Sequence, residues 1–169
     1  INQEKKLNEY ALEPDNISKT EELIYSALGL PWIPPEIRED RGELQCTETP
    51  NLITLQDIQC DLHCHTTASD GHMSIEELAT HAITRGYHTI AVTDHSQSQT
   101  QANGLKPDRL RIHIEKIREA NNTIDGITIL AGSEVDILPD GSLDYDDDVL
   151  TLLDIVVASP HAALSQSPT

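Results

Sequence analysis

Two histidines stand two residues apart in the segment CDLHCHTTASDG (residues 60–71), with Asp61 before them and Asp70 after them. If His63 and His65 lie on a strand, they point to the same side, because side chains alternate along a strand. Two imidazoles presented that way can close on one ion. Cys64 points the other way and reads as a small buried hydrophobe. Asp61 shares the face of His63 and is expected to orient an imidazole. Asp70 precedes Gly71 and suits either a turn or a ligand position. The chain has eight histidines in 169 residues, so one such pair carries little weight alone. The weight comes from where the other candidate ligands fall.

Each of the next three apolar segments also ends in ligand-type residues. HTIAVTDH ends in Asp94 and His95, GITILAGSE brings Glu134, and DIVVASPH ends in His161. Read as strands, four successive segments deliver nitrogen or carboxylate donors at their C-terminal ends. In parallel α/β barrels that end is the active-site face. The donors are oxygen and nitrogen with no thiolate, which suits catalytic Zn, Mn or Fe. A bridging carboxylate such as Glu134 suits a centre with more than one ion. Such centres activate water toward phosphorus. His81, His88 and His113 fall inside helices or at a strand start and read as surface residues; His72 is left unassigned. The run DYDDD (residues 144–148) reads as a solvated helix start. No GxSxG, P-loop or GxGxxG pattern occurs, so serine hydrolase, NTPase and dinucleotide-binding readings lack support.

The elements that must position these residues follow from periodicity. SIEELATHAITRG predicts a helix with Ser74 and Glu77 as a capping box and Gly86 as its stop. PDRLRIHIEKIREANN predicts a helix with Pro107 at its start and Leu110, Ile114 and Ile117 on one face. YDDDVLTLLD predicts a short acid-started helix. With the four strands this gives β-α-β-α-β-α-β, an α/β pattern that argues for a parallel sheet. Four strands cannot close a barrel, so the remainder of the domain is expected beyond Thr169. Residues 1–30 predict a weak strand in KLNEYAL, a turn at EPDN, and a helix over TEELIYSAL with Ser18 and Glu21 as capping box and Gly29 as stop. The prolines of LPWIPPEIREDRGEL forbid regular helix, so residues 31 to about 50 predict a linker pinned by Trp32 and Ile33.

Composition limits the partners. Eleven Lys and Arg face 29 Asp and Glu, for a formal net charge of -18. Such a surface repels phosphate backbones, so weak or no DNA binding is expected of this acidic segment alone. Three cysteines with no CxxC pair argue for a reducing compartment rather than a disulfide framework. No apolar run approaches the roughly 20 residues of a membrane span. The chain starts at Ile1, which predicts a fragment.

DLHCHTTASDG, GYHTIAVTDHS, AGSEVDI and VVASPHAALSQS together resemble the successive motifs of the PHP (polymerase and histidinol phosphatase) domain, over about residues 55–169. The resemblance implies the N-terminal part of a distorted (βα)7 barrel with two or three divalent ions, Mn or Zn with Fe a further candidate, and phosphoester hydrolysis. It implies that His63, His65, Asp70, His95, Glu134 and His161 are metal ligands, with Glu134 and His65 the catalytic residues. KLNEYALEP and TEELIYSALGLPWIPPEIREDRGEL resemble the end of the polymerase region of bacterial family X DNA polymerases. The expected division is residues 1–50, thumb-like segment and Pro-rich linker, and residues 51–169, a C-terminally incomplete PHP domain. The implied function is the Mn-dependent 3′–5′ exonuclease of a cytoplasmic repair polymerase, with DNA as the substrate of the full-length protein. A phosphatase of the histidinol-phosphate type and a non-catalytic support module are the alternatives.

Overall fold

The computed structural model describes residues 6–7, 12–13, 19–46 and 50–161. The chain divides into two compact units, residues 1–53 and 54–169.

In the first unit, β1 (Lys6–Leu7) pairs antiparallel with β2 (Leu12–Glu13). The single strand expected over KLNEYAL is thus two short strands, and its middle lies outside the described residues, as do most of the EPDN turn and Ser18. Helix α1 (Glu21–Ala27) is capped by Thr20, whose hydroxyl accepts from the Leu23 amide. The cap therefore sits two residues later than the expected Ser18 position. Gly29 follows the helix at φ 70, the left-handed turn that glycine adopts without strain. The proline-rich stretch forms no regular α-helix, only 3-10 turns at Pro35–Ile37 and Glu43–Gln45. Ile33 is buried, and Arg38 holds Ile33 and Glu21 through its guanidinium.

The second unit carries the strands that matter for function. β3 (Cys60–Cys64), β4 (Thr89–Val92), β5 (Thr128–Asp136) and β6 (Ile155–Ser159) form one parallel sheet in the order β3-β4-β5-β6. Helices α2 (Ile75–Thr84) and α3 (Pro107–Thr123) make the crossovers. Helix α4 (Asp147–Leu150) is a single turn, shorter than the acid-started helix expected there. β4 is central, and Ile90, Ala91 and Val92 are fully buried on both faces, as parallel sheets require. The edge strands β3 and β6 remain largely exposed.

Each crossover helix has a start signal and an apolar stripe. Ser74 and Glu77 complete a reciprocal capping box on α2, which buries Ile75, Ala79 and Ala82. Pro107 opens α3, which buries Leu110, Ile114 and Ile117. These side chains meet Ile90, Val92, Ile129, Ala131 and Val135 of the sheet in one core. His113 lies on the same buried face of α3, at 6% exposure, and not on the surface as expected. His81 and His88 are exposed. Among the described residues no helix is long and apolar enough to cross a membrane.

Candidate metal centre

The parallel sheet brings His63, His65, His95, Glu134 and His161 to its C-terminal edge, and the loop after β3 adds Asp70, whereas the strand-end Asp94 is buried among Thr66, Ser69 and His113. His63 lies in β3 and His65 just after it; His95 follows β4 by three residues; Glu134 lies within β5; His161 follows β6 by two. Glu134 is the meeting point. Its Oε2 lies 3.2 Å from His63 Nε2, 3.2 Å from His65 Nε2 and 3.1 Å from His95 Nδ1, and its Oε1 lies 3.3 Å from His161 Nε2. A backbone bridge between His95 and Glu134 continues the β4–β5 pairing and sets that meeting. Asp70 closes the other side, with Oδ1 2.9 Å from His65 Nδ1 and Oδ2 3.6 Å from His95 Nε2.

Three groups of donors result: His63, His65 and Glu134; His65, Asp70 and His95; and His95, Glu134 and His161. Each group shares a residue with each of the others. An ion held at about 2.0–2.1 Å by its ligands spaces neighbouring donors about 3.0–3.4 Å apart. The separations around Glu134 fall in that range. His95 Nδ1 supplies a second test of fit. It is buried and, although near Glu134, makes no hydrogen bond. Burial and the neighbouring His65 ring push His95 below its ordinary pKa, so the ring is neutral and keeps a lone pair for an ion. The donor chemistry, the spacing and the orphaned nitrogen all fit divalent ions.

Outside these donors lie two supporting carboxylates: Asp136, which sequence reasoning missed, and Asp94, which it read as a strand-end ligand. Asp136, two residues after Glu134 on β5, is 2% exposed, and its Oδ1 lies 2.6 Å from His161 Nδ1. Its Oδ2 accepts from Ser98 Oγ and Gln99 Nε2. Burial acts to raise the pKa of Asp136, but the bonds from Ser98, His161 and Gln99 outweigh it and hold the carboxyl below its ordinary value. An ionised Asp136 fixes the Nδ1–H tautomer of His161 and turns Nε2 toward Glu134. Asp94 accepts from the backbone and hydroxyl of Thr66 and of Ser69 and faces His113 Nε2 at 2.7 Å. Here too burial opposes ionisation, and the hydrogen bonds win and lower the pKa.

One expectation changes. Asp61 orients no imidazole; its carboxylate accepts from the His63 amide. The carboxylates beside imidazole Nδ1 atoms are Asp70, Glu134 and Asp136. Cys64 is packed, as its place between the histidines predicts, and burial pushes its thiol up to about 12. Gly71 is required by the loop after β3. A Cβ there would collide with the carbonyl of His65, and the Gly71 amide donates to Thr66 O.

A parallel α/β sheet with a shared histidine–carboxylate cluster at its C-terminal edge defines a class of ion-binding domain. Residues 61–164, more than half of the chain, match the PHP domain family, and the chain belongs to that family. Residues 1–39 match the DNA polymerase beta thumb. Over 95% of its length the chain is 44% identical to the DNA polymerase/3′-5′ exonuclease PolX of Bacillus subtilis, of which it covers 29%. It is also 32% identical to a probable phosphatase of Syntrophotalea carbinolica, over 66% of this chain and 44% of that protein. A probable phosphatase of Acetivibrio thermocellus is 35% identical over 60% of this chain and 40% of its own length. The chain thus spans less than half of each of these relatives.

Proposed function

We propose that this chain carries the metal-dependent phosphoesterase centre of a DNA-end-processing protein, with 3′–5′ exonuclease action on DNA. The observation that carries the proposal is the Glu134 carboxylate within 3.1–3.3 Å of nitrogens from four histidines. His63, His65, Asp70, His95, Glu134 and His161 are the ligands. Divalent ions bound there, Mn or Zn with Fe a further candidate, supply polarisation of the phosphoester and neutralisation of its charge. Glu134 brings the buried negative charge that draws cations into the site. Glu134, His65 and His95 each belong to two donor groups, and the likeness to the PHP family supports Glu134 and His65 as the catalytic residues. Asp136 holds the Nδ1 side of His161, so that ring presents Nε2 to Glu134.

DNA is the proposed substrate. The thumb-like match of residues 1–39 and the exonuclease named in the B. subtilis relative support it. A cytoplasmic location follows from the same reading. The second reading, a phosphatase on a small phosphate ester, draws on the probable phosphatases. In the intact protein with Mn²⁺, a 3′-labelled oligonucleotide and a small phosphate monoester should be offered side by side. Release of single labelled nucleotides with the monoester spared supports the nuclease. Turnover of the monoester alone would replace it with the phosphatase, and turnover of neither would leave a non-catalytic module.

A further inference from the structure

The chain buries a second carboxylate–imidazole pair that is not part of the donor cluster. Asp94 is 0% exposed and His113 6%. Neither residue belongs to any of the three donor groups. The Asp94 carboxylate collects five contacts. Thr66 donates from its amide at 2.8 Å and its hydroxyl at 2.7 Å. Ser69 donates from its amide at 3.2 Å and its hydroxyl at 2.5 Å, and His113 Nε2 lies at 2.7 Å. Thr66 and Ser69 are themselves buried.

The placement of these partners is informative. Thr66 follows His65, Ser69 precedes Asp70, and Asp94 precedes His95. One buried carboxylate is therefore bonded to the immediate neighbours of two residues of the His65–Asp70–His95 group and is the neighbour of the third. The loop from His65 to Gly71 has no sheet ladder to hold it. Its Thr66 amide, which β3 would pair if it continued, is spent on Asp94. His113 anchors the carboxylate from α3, whose core stripe fixes it against β5. A loop tied at both ends to a charge inside the core has one position; an untied loop has many, and ion geometry tolerates little displacement.

We propose that Asp94 and His113 are positioning residues, a buried clamp that sets the β3–α2 loop so that His65, Asp70 and His95 form one ion site. The clamp touches no ion and no substrate. Its effect is selective, because His161 and Asp136 are held through Ser98 and Gln99 instead. Loss of the clamp weakens the ion of the His65–Asp70–His95 group more than the ion of the His95–Glu134–His161 group.

The proposal rests on the metal-centre reading above, and the test separates the two. Mn²⁺ alone is titrated into the intact protein, with free ion followed by electron paramagnetic resonance, for wild type, His113→Leu, His113→Gln and Ser69→Ala. Ser69→Ala removes one loop anchor without altering helix α3 and guards against a His113→Leu chain that fails to fold. The expected result is that His113→Leu and Ser69→Ala each weaken one Mn²⁺ by about tenfold or more while the remaining ions bind as in wild type. His113→Gln, which keeps a donor near the Nε2 position, restores the lost ion. Wild type that binds no Mn²⁺ would overturn the metal-centre reading and the clamp together. Wild-type binding with unchanged isotherms for both loss variants, or equal weakening of every ion, would overturn the clamp alone.

Discussion

At the scale of residues, position along a strand decided most roles. His63, His65, His95, Glu134 and His161 were legible because each stands at or near the C-terminal end of an apolar segment, where a parallel sheet gathers side chains. The supporting residues were less visible. Asp136 carries the same i, i+2 signal relative to Glu134 that paired His63 with His65, so alternation could have found it. His113 sits at the position that completes the stripe Leu110, His113, Ile114 and Ile117, and that spacing places it in the core. Asp94 was visible as an acid at a strand end, but its supporting role was not, since its partners come from a loop whose path no local pattern predicts. Cys64 offers a direct check on alternation. Its buried thiol resists ionisation, so an alkylating reagent at neutral pH should label the exposed Cys46 and Cys60 and spare Cys64 until the chain unfolds. Peptide mapping after brief alkylation reads this, and early labelling of Cys64 would contradict its inward orientation.

At the scale of elements, start and stop signals located the helices well and the loops poorly. The Ser74 box and Pro107 sit where the sequence places helix starts, whereas the α1 cap moved to Thr20 because its hydroxyl lies one residue before the helix. Helix α3 binds the sheet through one face, which sets up a contrast within a single helix. Ile117 is fully buried and Ile112 is 56% exposed. Ile117→Ala should cost about 2–5 kcal/mol, the range for deleting a buried aliphatic side chain, and Ile112→Ala within about 0.5 kcal/mol. Denaturant melts of the two variants check this, and equal costs would mean that α3 packs by another face. Tyr145, just before α4, gives a pH signature. Burial raises its phenol pKa, with the Asp144 charge adding to this, and its hydroxyl donates to Leu105 O. A raised folded pKa contributes stability that is fully present below the unfolded phenol value of about 10 and is lost as pH rises through the folded value. Wild type should therefore lose stability above about pH 10 more steeply than Tyr145→Phe. Parallel alkaline melting curves for the two would contradict the burial.

At the scale of the whole molecule, the net charge of -18 and the phosphate chemistry pull in opposite directions. A chain so acidic offers few cations to a DNA backbone, and the cluster around Glu134 concentrates donors for divalent ions instead. Under the proposed function, DNA is held by its end through the ions, with little counterion release. For residues 1–169, the log–log dependence of DNA affinity on salt should have a slope shallower than about −2, and chelation should remove the binding. A steep slope that survives chelation would point to a basic surface that the composition does not offer.

The central claim is that Glu134 joins two donor groups, and a metal count tests it most directly. Wild type and Glu134→Ala, both shown folded by circular dichroism, are loaded with Mn²⁺, desalted and analysed for metal per chain. Glu134 belongs to the His63–His65 group and to the His95–His161 group, so its loss should release two ions at once and abolish phosphoester hydrolysis. Loss of one ion or none, with hydrolysis retained, would contradict the account.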